Sequence, residues 1–178
     1  MTTDAPGSTG HDEQPARRDD AGVDDGDLDR LRHAIRLAAE ARDRGDHPFG
    51  AIVVAPDGEV VEGRNSVVTG SDPTGHAETN VVRRAAAALG PERLAASTLF
   101  TSTEPCAMCA GAIYWSGIRR VVYALSERAL RDIVAEQEGV PTLDLPSREV
   151  FARGGRPVAV AGPADLPEAA AVHEGFWG

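Results

Sequence analysis

Apolar and polar positions along the first third of this chain follow first the period of a helix and then that of strands. Residues 27–44 repeat apolar side chains at helical spacing, opposite a face of arginines and acids, and end at Gly45. Two apolar runs, residues 51–55 and 59–63, flank the turn-forming residues 56–58 (Pro-Asp-Gly). This pattern predicts an amphipathic helix followed by a β-hairpin.

Helical and strand patterns alternate in the middle of the chain. Residues 76–89 and 106–116 have helical spacing, the second after the helix-initiating Pro105, and residues 97–101 and 120–125 have the character of strands. Weaker patterns predict helices at 126–138, 147–153 and 165–174 and a strand at 157–161. This order predicts an α/β fold with helices on the faces of a partly parallel sheet.

The composition separates an N-terminal tail from the rest of the chain and argues against some classes of function. Residues 1–26 are rich in Asp, Gly, Pro and Thr and cannot bury enough apolar surface to offset the entropy of ordering, which predicts a disordered acidic tail before one domain at 27–178. The net charge of −10 argues against a surface for nucleic acid. No apolar run reaches the roughly 18 residues of a membrane span, and no secretory leader is visible. We therefore expect a cytoplasmic protein without a membrane partner.

Two short motifs, each at a predicted helix start, carry the candidate chemistry. The first is His-Ala-Glu at residues 76–78, and the second is Pro-Cys-Ala-Met-Cys at residues 105–109. Cys106 and Cys109 are the only cysteines of the chain, so with His76 they offer three ligands to a metal ion. Three such ligands suit tetrahedral Zn²⁺ with a fourth position open for water, as in catalytic sites. A glutamate next to the metal can act as the base that moves protons.

Other kinds of site fit the two motifs less well than a catalytic zinc site does. A redox-active Cys-x-x-Cys pair leaves the His-Ala-Glu motif unexplained, and a zinc finger needs a fourth ligand that no further cysteine provides. A zinc-binding protein without catalysis stays open, although an intact Glu78 argues against it. The order His-x-Glu, then Pro-Cys-x-x-Cys, is the signature of zinc deaminases.

The residues around both motifs extend the match to a family. The chain from about residue 48 to 124 resembles the cytidine deaminase superfamily, and within it the base deaminases of the guanine deaminase type. The matching segments are Pro48-Phe49-Gly50-Ala51, Gly63-Arg64-Asn65, Asp72-Pro73-Thr74, His76-Ala77-Glu78, Glu104-Pro105-Cys106, Met108-Cys109 and Gly111-Ala112-Ile113-Tyr114-Trp115. The resemblance implies a three-layer α/β/α sandwich around a five-stranded mixed sheet, assembled as a homodimer.

The same resemblance implies an activity and assigns residues to it. The expected reaction is hydrolytic deamination of a nucleobase or nucleoside, preferably an aminopurine such as guanine, with cytosine or cytidine and tRNA adenosine as alternatives. The assignments are His76, Cys106 and Cys109 as Zn²⁺ ligands, Glu78 as proton shuttle, and Phe49, Asn65, the backbone of Ala77 and Trp115 as substrate contacts.

One departure from the guanine deaminase pattern concerns a second acid. That pattern has a Phe-Asp-Asp segment after the fourth strand, and residues 126–132 contain none. Glu136, Glu138 and Asp144 are the candidates to replace its carboxylate. The aromatic pair at residues 176–177 is expected to dock, either on its own domain or over a substrate pocket.

Overall fold

The computed structural model describes residues 22–134 and 143–177, which contain five strands and six helices. The strands are β1 Gly50–Val54, β2 Val60–Arg64, β3 Thr98–Thr103, β4 Arg120–Leu125 and β5 Ala159–Ala161. The helices are α1 Asp25–Asp43, α2 Ala77–Ala95, α3 Ala107–Ser116, α4 Glu127–Val134, α5 Ser147–Ala152 and α6 Glu168–Ala171. No helix in this described part of the chain is long and apolar enough to cross a membrane.

The strands form one mixed sheet in the order β2-β1-β3-β4-β5. Strand β1 is antiparallel to both of its neighbours, whereas β3, β4 and β5 are parallel to one another. Because β1 opposes both neighbours, β2 runs in the same direction as β3 and β4. The segments that follow β2, β3 and β4 therefore meet at one edge of the sheet, together with the segment that precedes β1. The predicted hairpin and mixed sheet are confirmed.

Two hydrophobic cores lie on opposite faces of the sheet and make the fold three-layered. Successive side chains of a strand point to opposite faces, so Ile52 packs with α1 and α6 while Val53 packs with α2 and α3. On the first face Leu31 of α1 is fully buried, and on the second Ile113 of α3 is fully buried. Each such side chain contributes about 1.5–3 kcal/mol by leaving water. The predicted α/β/α sandwich is confirmed.

Helix α1 begins earlier than its apolar pattern predicts. The Asp24 carboxylate accepts a hydrogen bond from the Asp27 backbone N–H at 2.8 Å, and the Asp27 carboxylate accepts one from the Asp24 N–H at 3.2 Å. This reciprocal capping box satisfies backbone donors that a helix start otherwise leaves open. Residues 25–26, which we predicted to be part of a disordered tail, are therefore helical. Residues 22–24 precede the helix, with Asp24 as its N-cap, and residues 1–21 of the predicted tail lie outside the described residues.

The later helices also differ from their predicted bounds. Helix α2 continues to Ala95 across a kink at Gly90, whose φ of 73° breaks the helical path before a second helical segment. Helix α6 spans only Glu168–Ala171, and its late start follows from Pro167 at the N-cap, which disfavours helical backbone in the residue before it. Helix α4 is described as far as Val134, and the remainder of the predicted helix at 126–138 lies outside the described residues.

An ion pair ties the start of α1 to the sheet. Asp27 is buried and accepts hydrogen bonds from both terminal nitrogens of the Arg120 guanidinium, at 2.9 and 2.7 Å. Burial by itself would raise the pKa of Asp27, but the hydrogen bonds from Arg120 and the Asp24 backbone bring it below its ordinary value. The carboxylate is therefore charged in the folded protein and stabilises it at neutral pH.

Candidate active site

Both motifs lie at the sheet edge where β2 and β3 end, and each opens a helix. His76 is the N-cap residue of α2, after the loop that follows β2, and Cys106 is the N-cap residue of α3, shortly after β3. Cys109 lies in the first turn of α3 and is buried. The unpaired N–H groups and the dipole of a helix start favour negative charge, so this placement suits thiolates.

The spacing of the three donor atoms fits a zinc ion. His76 Nδ1 is 3.7 Å from Cys106 Sγ and 3.5 Å from Cys109 Sγ. Ligand bonds of about 2.0–2.1 Å to nitrogen and 2.3 Å to sulfur, at tetrahedral angles, require N···S distances of roughly 3.6 Å. All three donors lie within 4.8 Å of one another, so they can hold Zn²⁺ with little movement.

The surroundings of Cys106 favour its thiolate form. Hydrogen bonds from Cys109 and His76 lower the pKa of Cys106 to about 4, against the opposing effect of burial. The hydrogen bond between the two cysteines raises the pKa of Cys109, because its thiol keeps the proton beside the Cys106 thiolate in a buried site. A metal ion that displaces the proton of the Cys109 thiol is offered two thiolates and one imidazole as ligands. This set suits Zn²⁺.

Glu78 stands beside the metal site without belonging to its donor set. Its side chain is buried, with one oxygen 3.2 Å from the donating Thr101 hydroxyl and the other 3.6 Å from Cys109 Sγ. Burial, followed by the negative charge of Cys106, raises the pKa of Glu78 to about 7. A carboxyl group that titrates near neutrality can both accept and return a proton, which is what a general acid–base residue requires.

A buried polar network orders the loop that carries His76 to its place. Asp46 is fully buried, and its carboxylate accepts hydrogen bonds from the backbone N–H groups of Val68 and Thr69 at 3.1 and 2.9 Å and from the Thr69 hydroxyl at 2.8 Å. At the other end of the loop, Asn80 donates to the Gly75 carbonyl at 3.1 Å. Hydrogen bonds thus hold the loop at both of its ends, immediately before His76.

The metal site opens into a cavity of about 320 Å³. Glu78 and Glu127 contribute carboxylates to its wall, and Phe49 and Trp177 contribute aromatic rings. The other lining residues are His76, Thr103, Glu104, Cys106, Ala107, Met108, Leu130, Val134 and Leu143. A concave, largely apolar site with a few converging polar groups is typical of small-molecule binding.

Comparison with known proteins agrees with this geometry. The family model of the cytidine and deoxycytidylate deaminase zinc-binding region matches residues 26–125, more than half of the chain. The chain belongs to this deaminase family. It is therefore a zinc-dependent enzyme that hydrolyses a C–N bond, a nucleobase or nucleoside deaminase, and its metal is Zn²⁺.

Individual relatives of this deaminase differ in substrate. A probable cytosine deaminase of Schizosaccharomyces pombe is 42% identical over 85% of this chain and 92% of its own length. The guanine deaminase of Bacillus subtilis is 45% identical over 53% of this chain and 61% of its own length. The solved guanine deaminase of Nitrosomonas europaea superposes with a TM-score of 0.66 at 28% identity, covering 83% of this chain and 82% of that one.

The four predicted substrate contacts of the deaminase lie in different environments. Phe49 alone of the four is among the residues that line the cavity. Asn65 is fully buried, and its Oδ1 accepts the Val67 N–H at 3.0 Å while its Nδ2 has no partner among the described residues. Ala77 is the first residue of α2, where backbone N–H groups lack an acceptor within the helix. Trp115 is 85% exposed at the end of α3, and this single chain does not bring it to the cavity.

The second acid of the cavity is a residue that sequence reasoning passed over. Asp144 is exposed and bonded to Arg131 at 2.6 Å, and Glu136 and Glu138 lie outside the described residues. Glu127, the first residue of α4, lines the cavity instead. It follows β4 just as the metal ligands follow β2 and β3, and that common position is the signal that could have found it.

The environment of Glu127 also suits proton chemistry. Burial is the main cause that raises its pKa to about 7, and the charges of Cys106, Glu104 and Glu78 add to the effect. Its backbone N–H donates to the Glu104 carboxylate at 3.1 Å, and the other oxygen of that carboxylate accepts from Ser147. Glu104, which directly precedes the Pro-Cys motif, thereby holds the starts of α4 and α5 beside the metal site.

Proposed function

We propose that this deaminase prefers an aminopurine such as guanine, as a free base or a nucleoside, and releases ammonia. The observation that carries the proposal is that the cavity is lined by Glu78 and by a second acid, Glu127, besides Glu104, whose carboxylate is bound to the starts of α4 and α5. A pyrimidine offers one ring whose nitrogen and amino group lie beside Glu78. A purine extends further and presents additional ring nitrogens to a second acid.

The chain supplies positioned proton chemistry around the reacting carbon. Zn²⁺ held by His76, Cys106 and Cys109 would lower the pKa of a water molecule in its open position. Glu78 would take one proton of that water and pass it to the adjacent ring nitrogen, while the remaining hydroxide adds to the carbon that bears the amino group. It would then take the proton of the added hydroxyl and deliver it to the amino group, so that ammonia leaves and a carbonyl remains. The Thr101 hydroxyl, 3.2 Å from Glu78, keeps the carboxylate in one orientation during these transfers.

Three groups would orient the base. Phe49 in the cavity wall offers a ring face for stacking. The Asn65 Nδ2, buried without a partner, would donate to a carbonyl or ring nitrogen of the substrate, which removes the cost of leaving that donor unpaired. The N–H groups at the start of α2, beginning with Ala77, would contact the base edge.

Cytosine is the second candidate, and one comparison favours it. The probable cytosine deaminase of Schizosaccharomyces pombe matches 85% of this chain, whereas the match to the guanine deaminase of Bacillus subtilis covers 53%. A tRNA substrate is disfavoured, because the cavity wall carries the carboxylates of Glu78, Glu104 and Glu127 and the chain has a net charge of −10. The thiol ligands favour a reducing compartment, so we propose a cytoplasmic location.

The exposed face of α3 supports assembly as a homodimer. The helix contains no charged residue, and Met108, Gly111, Ala112 and Trp115 lie on one stripe at helical spacing. Trp115 is 85% exposed and Met108 38%. A second copy can cover this stripe symmetrically, which accounts for an uncharged outer face. We expect Trp115→Glu to convert a dimer to a monomer in analytical ultracentrifugation; an unchanged sedimentation coefficient contradicts this interface.

Ammonia release from the purified, zinc-quantified protein tests the substrate proposal. The substrates are guanine, cytosine, adenine, their nucleosides and a tRNA anticodon stem, with Glu78→Gln as a matched control that keeps size but cannot shuttle protons. We expect turnover of guanine or its nucleoside, and a loss of about 10²–10⁴-fold in the variant at unchanged zinc content. Turnover of cytosine alone selects the second candidate, and reaction of the tRNA alone refutes both.

A further inference from the structure

Arg42 reaches across the molecule from the last turn of α1. Its two terminal nitrogens donate to the backbone carbonyls of Val172 and Glu174, each at 2.8 Å. These carbonyls lie in the turn that ends α6, where a helix leaves its last carbonyl groups without intrahelical donors. A guanidinium presents its donors in a rigid planar fork, so two carbonyls bound together are fixed in position as well as satisfied.

His173, the residue between the two bound carbonyls, contacts the two aromatic rings of the cavity wall. His173 is 1% exposed, and its ring stacks on Trp177 at an interplanar angle of 11° and a centroid distance of 6.1 Å. It also lies 5.2 Å from the Phe49 ring. Burial, and then the charge of Arg42, lower the pKa of His173 to about 4, so the ring is neutral at pH 7 and stacks as an aromatic group.

The position of Trp177 depends on these ring contacts. Among the described residues its indole Nε1 is buried without a hydrogen-bond partner, so no polar contact of its own holds the ring. The rings around it are those of His47, Phe49, His173 and Phe176. Helix α6 has only four residues and cannot orient residues 172–177 by itself.

We propose that Arg42 is a positioning residue that holds residues 172–177 against the cavity and thereby sets the affinity for substrate through Trp177. The effect on KM rests on the proposed function, whereas the effect on the position of residues 172–177 does not. Arg42 touches no reacting atom, because its contacts are the two carbonyls. Loss of these bonds lets Trp177 leave the wall while the metal ligands and Glu78 stay in place, so substrate binding weakens and the chemical step persists.

Arg42→Gln is the test variant, with Arg36→Gln as its matched control. Arg36 lies on the same helix, is exposed and makes no hydrogen bond within the described residues. We expect Arg42→Gln to raise KM roughly tenfold, the size of two partly exposed hydrogen bonds from a charged group, with kcat within about twofold. Arg42→Lys keeps the charge but replaces the planar fork by a single donor nitrogen. Its KM should fall between those of the wild type and Arg42→Gln.

Two readouts separate positioning from a general loss of stability. In hydrogen exchange, a peptide containing residues 172–177 should exchange about tenfold faster in Arg42→Gln than in the control, while peptides from β3 are unchanged. In a double-mutant cycle, Arg42→Gln should add less than about twofold to the KM of Trp177→Ala, because both act through one ring.

Three outcomes overturn the proposal: a KM equal to that of Arg36→Gln, unaltered exchange in residues 172–177, or additive effects of Arg42→Gln and Trp177→Ala. A wild-type protein that deaminates none of the bases defeats the proposed function instead. In that case the exchange experiment, which needs no substrate, still decides whether Arg42 holds this segment.

Discussion

Gly63→Ala tests whether the close contact between β2 and α2 positions Glu78, the proposed proton shuttle. Gly63 pairs with Ala51 in the sheet and faces the first turns of α2. A Cβ atom at residue 63 would lie 2.6 Å from Val81 Cβ and 2.8 Å from the Val81 backbone nitrogen, and still closer to the Ala77 carbonyl oxygen. Two of these three neighbours are backbone atoms, so no side-chain rotation relieves the clash.

The required movement sets the size of the effect. An ordinary contact begins at 3.4 Å, so α2 must retreat by about 0.8 Å at Val81 and further at Ala77. Overpacking of this kind costs about 1–3 kcal/mol, which lowers Tm by roughly 2–4 °C per kcal/mol in a chain of this size. The same movement displaces Glu78, one residue after Ala77, and a misplacement near 1 Å can reduce turnover by about 100-fold.

Calorimetry, zinc content and ammonia release measure the three consequences. Gly155→Ala is the control, because a Cβ there meets only the Tyr114 hydroxyl at 3.9 Å, an ordinary contact, and its effect should stay within about 0.5 kcal/mol. Zinc binding should weaken less than turnover in Gly63→Ala, because Cys106 and Cys109 are on α3 and do not move with α2. Wild-type Tm and wild-type turnover in Gly63→Ala would refute the reasoning.

Further predictions concern charge and metal. Asp27→Asn should cost about 1–3 kcal/mol at pH 7; because the folded pKa of Asp27 is below 3.8, the difference in Tm from wild type should shrink only as pH falls below about 4. Asp46→Asn keeps an acceptor for the Val68 and Thr69 N–H groups but places its amide N–H against the Arg44 guanidinium, and it should cost about 2–3 kcal/mol in urea unfolding. Removal of Zn²⁺ by a chelator should lower Tm and abolish turnover, both restored by added Zn²⁺. Glu127→Gln should reduce turnover of guanine by about 100-fold and that of cytosine much less; equal losses contradict a purine-specific role.

The metal site could be predicted from local sequence, because its residues are close together along the chain and lie at the starts of two helices. The Cys-x-x-Cys spacing places two sulfur atoms at one helix start, and Pro105, directly before the N-cap Cys106, marks where that helix begins. His76 and Glu78 are likewise related by one helix start. The apolar runs of the sequence were enough to predict the five strands, whereas the three-layer arrangement with a core on each face of the sheet was implied by the resemblance to the family.

Only the tertiary structure decided which other polar and aromatic residues serve the site. Glu127, Asp46 and Arg42 are ordinary surface-type residues in the sequence, and each acquires its role from partners brought near by the sheet. The bond from Arg42 to Val172 spans 130 positions, and that from Glu104 to Ser147 spans 43. Periodicity reports which face of an element is buried, but it carries no information about which distant segment covers that face. The three candidate zinc ligands could therefore be predicted from the sequence, whereas most of the cavity wall, apart from Phe49 and Trp177 of the aromatic pair at 176–177, could not.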